Sequence, residues 1–349
     1  MSIVDVIVPC YRYGHFLERC VASVLDQGLD DIRILIIDDA SPDDSAVAAA
    51  AIAWRDRRVT VIVHPVNQGH IATYNEGIDW VEAPYMLLVS ADDLVAPGAL
   101  KRAIALMEAA PNVVLTFGGW TELDAGVDHR PLWSALEAQA AHRTPGWRVE
   151  PGARFIRRTC STAINPIVTA TAILRSAAQK AAGPYRAALT HSGDMDMWLR
   201  LAMLGDVAET HAIQGIRGVH GANMSLHADD ILLRDCQQRE LAFQAFFSGP
   251  GAALPDATRL RALALRRLAE QAFWTGQAQR WRGNPASGRD LVRFACRLRP
   301  SLLVAPPVGH FLRSPQAGRR LATLLGDGGW TRALPFRTAA KAGRSPSPP

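Results

Sequence analysis

Apolar runs alternate with amphipathic stretches through the first 120 residues, and this alternation constrains the fold more than any other feature of the sequence. Between the first two runs, Phe16, Cys20 and Val24 recur at helical spacing. Because strands that alternate with helices form βαβ units, the sequence predicts an α/β fold with a mostly parallel sheet flanked by helices. The apolar runs that predict its strands are residues 3–9, 32–37, 59–63, 85–89 and 113–117.

The rest of the chain is less uniform. Residues 118–158 hold three tryptophans among Pro and Gly, and we expect a long loop near a substrate there. Residues 167–174 predict another strand, and residues 196–204 predict a helix. From about residue 228 the pattern is mostly helical, and the predicted helices cover residues 231–247, 257–279 and 287–298.

These patterns predict an α/β domain over residues 1–227, a helical C-terminal region over 228–335 and a disordered tail over 336–349. Charge is also uneven, because residues 1–100 carry a net charge of −9 and residues 228–349 a net charge of +11. The basic region has no recognised DNA- or RNA-binding motif, so we expect no nucleic-acid partner.

The cysteines and the N-terminus indicate the compartment. Five cysteines are widely spaced and odd in number, which fits neither a disulfide framework nor a zinc site. No basic segment precedes an apolar stretch at the N-terminus, and no apolar run approaches the roughly 18 residues that span a bilayer. The sequence therefore predicts a cytoplasmic protein.

Acidic clusters follow two of the predicted strands. Asp39 lies at the end of the second strand, and Asp92 and Asp93 follow the fourth. The carboxyl ends of parallel strands lie at one edge of the sheet, where open α/β sheets bind ligands. Like charges brought together there favour a cation, and hard oxygen ligands select Mg²⁺ or Mn²⁺. The structural alternative is that these carboxylates cap turns or a helix.

The first strand lacks the glycine-rich signature of dinucleotide-binding enzymes, since no GxGxxG follows it. Six other segments stand out instead. They are 6–27 (VIVPCYRYGHFLERCVASVLDQ), 36–45 (IIDDASPDDS), 67–79 (NQGHIATYNEGID), 85–100 (YMLLVSADDLVAPGAL), 193–205 (GDMDMWLRLAMLG) and 215–225 (GIRGVHGANMS). In this order they resemble the family 2 glycosyltransferases of the GT-A fold class. The resemblance extends over about residues 3–227 and leaves out the basic C-terminal region.

The resemblance implies an inverting, metal-dependent glycosyltransferase that moves a sugar from a nucleoside-diphosphate sugar to an acceptor hydroxyl. It implies that the donor is a UDP-linked sugar. It assigns Pro9 and Tyr11 to the nucleotide base, with Tyr11 stacking on it, and gives Asp39 a hydrogen bond from uracil or a similar base. The acceptor would be a glycan or a lipid-linked intermediate, as in bacterial polysaccharide synthesis.

The metal site implied by the resemblance involves Asp92 and Asp93, which match the DxD region that binds ribose and the metal on the diphosphate. His220 is the third candidate ligand for Mn²⁺ or Mg²⁺. Ser90 stands where many members have the first Asp, which leaves open whether Asp92 or Asp93 binds the metal directly.

The resemblance implies that Asp194 is the catalytic base that takes the proton from the acceptor hydroxyl. Gly193 replaces a Glu that often precedes it. Asp196 is the second candidate for the base and a candidate contact to the acceptor, Arg200 would pair with a carboxylate or phosphate, and Arg217 would contact the diphosphate. A carboxylate in the first turn of a helix is also favoured by the helix dipole, so a structural role for Asp194 is the alternative.

The C-terminal region leaves two interpretations open. Its arginines, nine of them between residues 259 and 297, either line a solvated helical pair or form a surface for anionic lipid at the inner face of the membrane. Two competing functions also stay open. Ser90 and Gly193 favour a degenerate nucleotide-sugar-binding scaffold, whereas a nucleotidyltransferase would need a Gly-rich basic loop where residues 9–15 offer only Gly14 and Arg12.

Overall fold

The computed structural model describes residues 2–124, 126–142, 146–221 and 231–312. Contacts divide the chain into two units, Met1–Leu268 and Ala269–Pro349. The predicted domain boundary after residue 227 and the predicted tail over 336–349 lie outside the described residues, so both stay predictions.

A mixed sheet forms the centre of the first unit. Its order is β3-β2-β1-β4-β8-β6-β9-β5, and β7 also pairs with β9. Strands β1 to β4 are mutually parallel, and β6 and β9 share their direction, whereas β5, β7 and β8 run the opposite way. The strands are β1 (Val4–Cys10), β2 (Ile32–Asp38), β3 (Val59–Val63), β4 (Tyr85–Leu88), β5 (Leu94–Val95), β6 (Val113–Asp124), β7 (Trp147–Glu150), β8 (Ile173–Arg175) and β9 (Asp206–Val219).

Helices cover the sheet, so the prediction of a mostly parallel sheet flanked by helices is confirmed. Strands β1 and β2 read as continuous apolar runs because they are buried along nearly their whole length. In the first unit the helices are α1 (Gly14–Leu25), α2 (Ser45–Arg55), α3 (His70–Trp80), α4 (Ala99–Ala109), α5 (Arg130–His142), α6 (Gly152–Thr162), α7 (Ser176–Ala182), α8 (Gly193–Leu201) and α9 (Ile231–Ser248). They are followed by α10 (Ala257–Trp281), α11 (Pro285–Leu298) and α12 (Gly309–Leu312).

The predicted long loop over residues 118–158 is instead largely regular. Strand β6 continues through the two glycines at 118 and 119 to Asp124, and α5, β7 and α6 follow it. Its partner β9 was not predicted, because the pairing shifts register near Gly119 and the buried positions of β9 do not alternate evenly. The predicted strand over 167–174 is confined to Ile173–Arg175, preceded by a 3-10 turn at Thr169–Thr171.

The helical prediction for the C-terminal region agrees with α9, α10 and α11 to within two residues at each end. Within the described parts of the chain, every helix is too short or too polar to cross a bilayer.

Candidate active site

The carboxyl ends of β1, β2, β3, β4 and β9 meet at one edge of the sheet, and two adjoining clefts open there. The larger cleft, of about 890 Å³, is lined by Pro9, Tyr11 and Asp39 among others. The smaller cleft, of about 260 Å³, holds both Asp93 and Asp194. Tyr74 and Ser90 line both clefts, so the cleft with the predicted base-binding residues adjoins the cleft with the predicted catalytic residues.

Asp39 organises the floor of the larger cleft. Its carboxylate accepts hydrogen bonds from the backbone N–H groups of Gln68 (2.7 Å) and Gly69 (2.8 Å), and Asn67 Nδ2 donates to its carbonyl oxygen (3.1 Å). Gly69 has φ +85°, a conformation that favours glycine. Burial on its own would raise the pKa of Asp39, but these backbone bonds and a bond from His64 outweigh it and hold the pKa below its usual value. Asp39 is therefore an ionised acceptor.

His64 follows β3 and lies between two carboxylates. Its Nδ1 is 2.8 Å from Asp39 Oδ1, and its Nε2 is 2.6 Å from Glu76 Oε2. Burial would lower the pKa of His64, but the bonds to Asp39 and Glu76 raise it above its usual value. Neither His64 nor Glu76 was predicted as a site residue.

Asp92 and Asp93 follow β4 at the same edge. Asp93 lines the smaller cleft and accepts a hydrogen bond from the Gly218 N–H of β9 (3.0 Å). A Cβ on Gly218 would lie 2.2 Å from the Asp92 carbonyl oxygen, so only glycine lets β9 approach this closely. Burial, reinforced by the negative charge of Asp92, raises the pKa of Asp93 to about 7.

His220 is brought to the same place by the end of β9. Its Nε2 is 3.0 Å from Asp92 Oδ2, and its ring packs against Tyr13 and Phe16 at centroid distances of 5.1 and 4.8 Å. Two of the three predicted metal ligands are thus in direct contact, and the third, Asp93, is next in sequence.

Asp92, Asp93 and His220 suit a metal ion whose coordination shell is completed by a bound ligand. In the described part of the chain, no three His, Cys, Asp or Glu side chains gather into a ready cage. Mg²⁺ is commonly held by one or two carboxylates together with substrate phosphates rather than by an all-protein cage. The oxygen donors of Asp92 and Asp93, with His220 beside them, fit that arrangement.

Asp194 lies in the first turn of α8 and faces the smaller cleft. Its Oδ2 accepts a hydrogen bond from Asn165 Nδ2 (2.7 Å), and its Oδ1 accepts one from the Met195 N–H (2.8 Å). Burial raises the pKa of Asp194 to about 6 despite these bonds, which lower it. The group is therefore ionised at neutral pH but is a stronger base than an exposed carboxylate.

Asp196 and Arg200 line neither cleft. Asp196 is fully buried, and its Oδ2 accepts hydrogen bonds from Arg200 Nε (2.9 Å) and Arg186 Nε (3.1 Å). Arg200 also donates to the carbonyl oxygens of Ala182 (2.5 Å) and Pro184 (3.0 Å). The structure thus places both residues in a buried ion pair that ties α8 to the loop after α7, away from where a substrate could reach them.

The remaining predicted residues lie at the clefts or outside the described chain. Tyr11 is 43% exposed beside the larger cleft, which leaves its ring accessible. Arg217 lines the smaller cleft, 3.9 Å from Glu122 Oε1. The end of the last matching segment, residues 222–225, lies outside the described residues.

Residues 5–179 match the model of glycosyl transferase family 2. The chain belongs to this family. A curated relative, the uncharacterized glycosyltransferase EpsJ of Bacillus subtilis, is 38% identical over 102 residues, or 29% of each chain. Glycosyltransferase GlyG of Streptococcus pneumoniae is 36% identical over 95 residues, which cover 27% of this chain and 31% of GlyG. The matches to these relatives therefore span less than a third of their length.

Solved structures share the fold at low identity. The mannosyltransferase PcManGT from Pyrobaculum calidifontis, in complex with GDP-Man and Mn²⁺, has a TM-score of 0.52 and 18% identity, covering 92% of this chain and 79% of its own. Residues 1–349 of S. aureus TarS, in complex with UDP, also give a TM-score of 0.52, with 14% identity over 87% of this chain and 91% of TarS. These likenesses confirm the GT-A-type fold of a family 2 protein.

Proposed function

We propose that the protein is a metal-dependent, inverting glycosyltransferase that moves a sugar from a UDP-linked donor to an acceptor hydroxyl. One observation carries this proposal. An ionised acceptor, Asp39, and a half-buried carboxylate of raised pKa, Asp194, line two clefts that meet at Tyr74 and Ser90. A donor whose base lies at Asp39 would extend its diphosphate and sugar towards Asp93 and Asp194.

The larger cleft supports recognition of the base. As an ionised carboxylate, Asp39 can only accept hydrogen bonds, and uracil presents an N–H on its ring edge. The ring of Tyr11 is available to stack on the base. PcManGT, which was solved with GDP-Man and Mn²⁺, and TarS, which was solved with UDP-GlcNAc, support a nucleotide-sugar donor as the class of ligand.

The smaller cleft supports binding of a diphosphate through a cation. The N-terminal hundred residues carry a net charge of −9, so a diphosphate would be repelled without a counter-charge. Asp93, with Asp92 and His220, would hold Mn²⁺ or Mg²⁺, and Arg217 adds a positive charge at the same cleft. A bound divalent ion would neutralise the charge that develops on the leaving diphosphate.

Asp194 supplies the base. The acceptor O–H loses its proton to the Asp194 carboxylate while its oxygen bonds to the anomeric carbon. The bond from that carbon to the diphosphate oxygen breaks in the same step, and the nucleoside diphosphate leaves with the electron pair. Displacement on the opposite face inverts the anomeric carbon. The hydrogen bonds from Asn165 and Met195 hold the carboxylate in place for this transfer.

Nucleotide selectivity tests the proposed function. With Mn²⁺ present, we expect UDP at about 100 times its Kd to stabilise the protein by about 2.7 kcal/mol, which raises Tm by several degrees. CDP should raise Tm less, because the ring nitrogen that cytosine presents in place of the uracil N–H is an acceptor and faces an acceptor-only carboxylate. Thermal unfolding with UDP, CDP, ADP and GDP, with and without Mn²⁺, measures this. If no nucleotide shifts Tm, the proposal is wrong. A larger shift with GDP would keep the class of donor and change the base.

A lipid-linked acceptor and peripheral membrane contact form the second part of the proposal. Arg289, Arg293 and Arg297 recur every four residues along α11 and are exposed, so they share one side of that helix. Leu303 and Val304, which follow in the same unit, are 76% and 90% exposed. Basic side chains beside exposed apolar ones are typical of a surface that binds anionic lipid.

Reversal of these three charges tests the membrane contact. Each basic residue near an anionic surface contributes about 1 kcal/mol, so R289E/R293E/R297E should weaken binding to vesicles containing phosphatidylserine by about 100-fold or more. Cosedimentation with such vesicles measures the effect. The matched control R57E/K101E/R130E changes the net charge equally at exposed positions of the first unit. Equal loss in both variants, or no binding by the wild type, contradicts the contact.

A further inference from the structure

His64 has no contact with either cleft, yet it touches a residue that lines one. It follows β3 at the edge where the site lies, and its side chain is 4% exposed. Its ring spans from Asp39, which lines the larger cleft, to Glu76 on α3, which does not. His64 therefore cannot contact a substrate directly and can act only through Asp39.

The two contacts of His64 define its charge. A carboxylate oxygen accepts hydrogen bonds and cannot donate them while ionised, so a ring nitrogen beside it must carry a proton. Both ring nitrogens of His64 face such oxygens, at 2.8 and 2.6 Å. The raised pKa of His64 agrees with a ring that carries both protons. The arrangement is an imidazolium between two carboxylates.

The bond from His64 determines which acceptor position of Asp39 is left for a ligand. Oδ1 of Asp39 accepts hydrogen bonds from His64 Nδ1 and from the Gln68 N–H, and Oδ2 accepts one from the Gly69 N–H. A carboxylate offers about four lone-pair positions, so these bonds leave one, on Oδ2. The His64 bond also fixes the plane of the carboxylate, because without it Oδ1 keeps only one of its two contacts.

We infer that His64, held by Glu76, is a positioning residue for donor binding, which fixes the Asp39 carboxylate so that Oδ2 accepts the N–H of the base. This inference rests on the proposed function. Its effect should fall on donor affinity and not on the chemical step, because Asp194 lines the other cleft. A role in folding alone would not separate these two quantities.

Two substitutions at residue 64 separate the two bonds. The amide of Asn can take the place of Nδ1 and still donate to Asp39, whereas the amide of Gln takes the place of Nε2 and reaches only towards Glu76. We expect H64Q to raise the Kd for UDP and the KM for the donor by about 10–100-fold, as for loss of a hydrogen bond to a charged group. In H64N, the Kd for UDP and the KM for the donor should stay within about threefold of wild type. In both variants kcat should change less than about twofold. Changes of this size are smaller than loss of the hydrogen bond to Asp39 would cause.

Calorimetry with UDP and Mn²⁺, together with donor KM and kcat, measures these effects on the full chain. H211Q, at an exposed position of β9, is the matched control. E76Q is a second test, since the Glu76 side chain is 39% exposed and its loss should leave the fold intact. It should raise the Kd for UDP in the same direction as H64Q but by less.

The outcomes separate this inference from the proposed function. If the wild type binds UDP and H64Q binds it equally well, the positioning role is overturned and the glycosyltransferase stands. H64N as weak as H64Q also overturns it. If H64Q does not fold, an unchanged Kd in E76Q overturns it. A wild type that binds no nucleotide removes the proposed function and this inference together.

Discussion

Asp194→Asn is expected to lower glycosyl transfer by about 10²–10⁴-fold while UDP binds with nearly wild-type affinity. Asn keeps the size of the side chain and an oxygen that can accept from the Met195 N–H, but it cannot take a proton from the acceptor. Affinity for UDP should be retained, because the proposal assigns the base to Asp39 and Tyr11 and the metal-bound diphosphate to Asp93, and Asp194 to neither. Initial rates with a UDP-sugar that the wild type uses as donor, and calorimetry with UDP, measure the two effects.

The pH dependence of the wild type gives an independent test of the same group. Burial raises the pKa of Asp194 to about 6, and the base must be ionised to accept a proton. At saturating donor and Mn²⁺, kcat should therefore fall as pH decreases through about 6 and level off above it. Asp194→Asn should lose this dependence along with the activity, since the titrating group is gone.

The control for Asp194→Asn is Asp79→Asn, which removes an exposed carboxylate on α3. It should leave both transfer and UDP binding unchanged. Full transfer activity in Asp194→Asn would falsify the assignment of the base. If the wild type binds UDP but transfers no sugar to any acceptor, the scaffold alternative suggested by Ser90 and Gly193 is favoured instead.

The fold of the N-terminal half was predictable because its signal is local. Strands β1, β2 and β4 are central parallel strands, so each is an apolar run bounded by polar residues, and helices α1 and α4 bury one face each. The signal is weaker for β6 and β9. The sequence predicts β6 only over its first five residues, 113–117, and does not predict β9. Their pairing depends on residues about 90 positions apart and shifts register near Gly119.

The sequence predicts the site residues that are carboxylates at strand ends, but it was not used in the same way for the histidine that follows β3. The ends of β2 and β4 direct attention to Asp39, Asp92 and Asp93. The end of β3 at Val63 places His64 at the same edge, and the same reasoning could have found it. Glu76 gives no comparable signal, because only the tertiary packing of α3 brings it to His64.

Asp194 and Asp196 show what a motif leaves undecided. They lie two residues apart in the first turn of α8, so they point to different sides of the helix. One faces a cleft and the other is buried against Arg186 and Arg200. The spacing of Asp196 and Arg200 by four residues is typical of a helical ion pair, but the resemblance was followed instead and gave Asp196 a role at the base or the acceptor.

Asp93→Asn has the second large expected effect, on metal-dependent binding. Asp93 lines the smaller cleft, whereas Asp92 is 6% exposed and bonded to His220, so Asp93 is the carboxylate that a metal on a diphosphate would reach. Asn preserves the acceptor for the Gly218 N–H and removes the charge. Even outer-shell substitutions cost about 10–100-fold in metal affinity, so the gain in UDP affinity on adding Mn²⁺ should fall by at least that much.

The same carboxylate sets a pH dependence of metal binding. Burial and the charge of Asp92 raise the pKa of Asp93 to about 7, so at neutral pH much of it is protonated before a cation binds. A metal ligand must lose its proton, and binding therefore releases it. The Mn²⁺-dependent gain in UDP affinity should increase as pH rises through about 7 in the wild type, and Asp93→Asn should show a smaller rise.

Calorimetric titration of UDP with and without Mn²⁺, at several pH values, distinguishes the possibilities. Asp124→Asn, at the exposed end of β6, is the matched control and should behave as the wild type. Asp92→Asn separates the two neighbouring carboxylates, because a larger loss there than in Asp93→Asn would make Asp92 the direct ligand. If Mn²⁺ improves UDP binding equally in the wild type and in both variants, the cation is held elsewhere, and the acidic edge of the sheet is not a metal site.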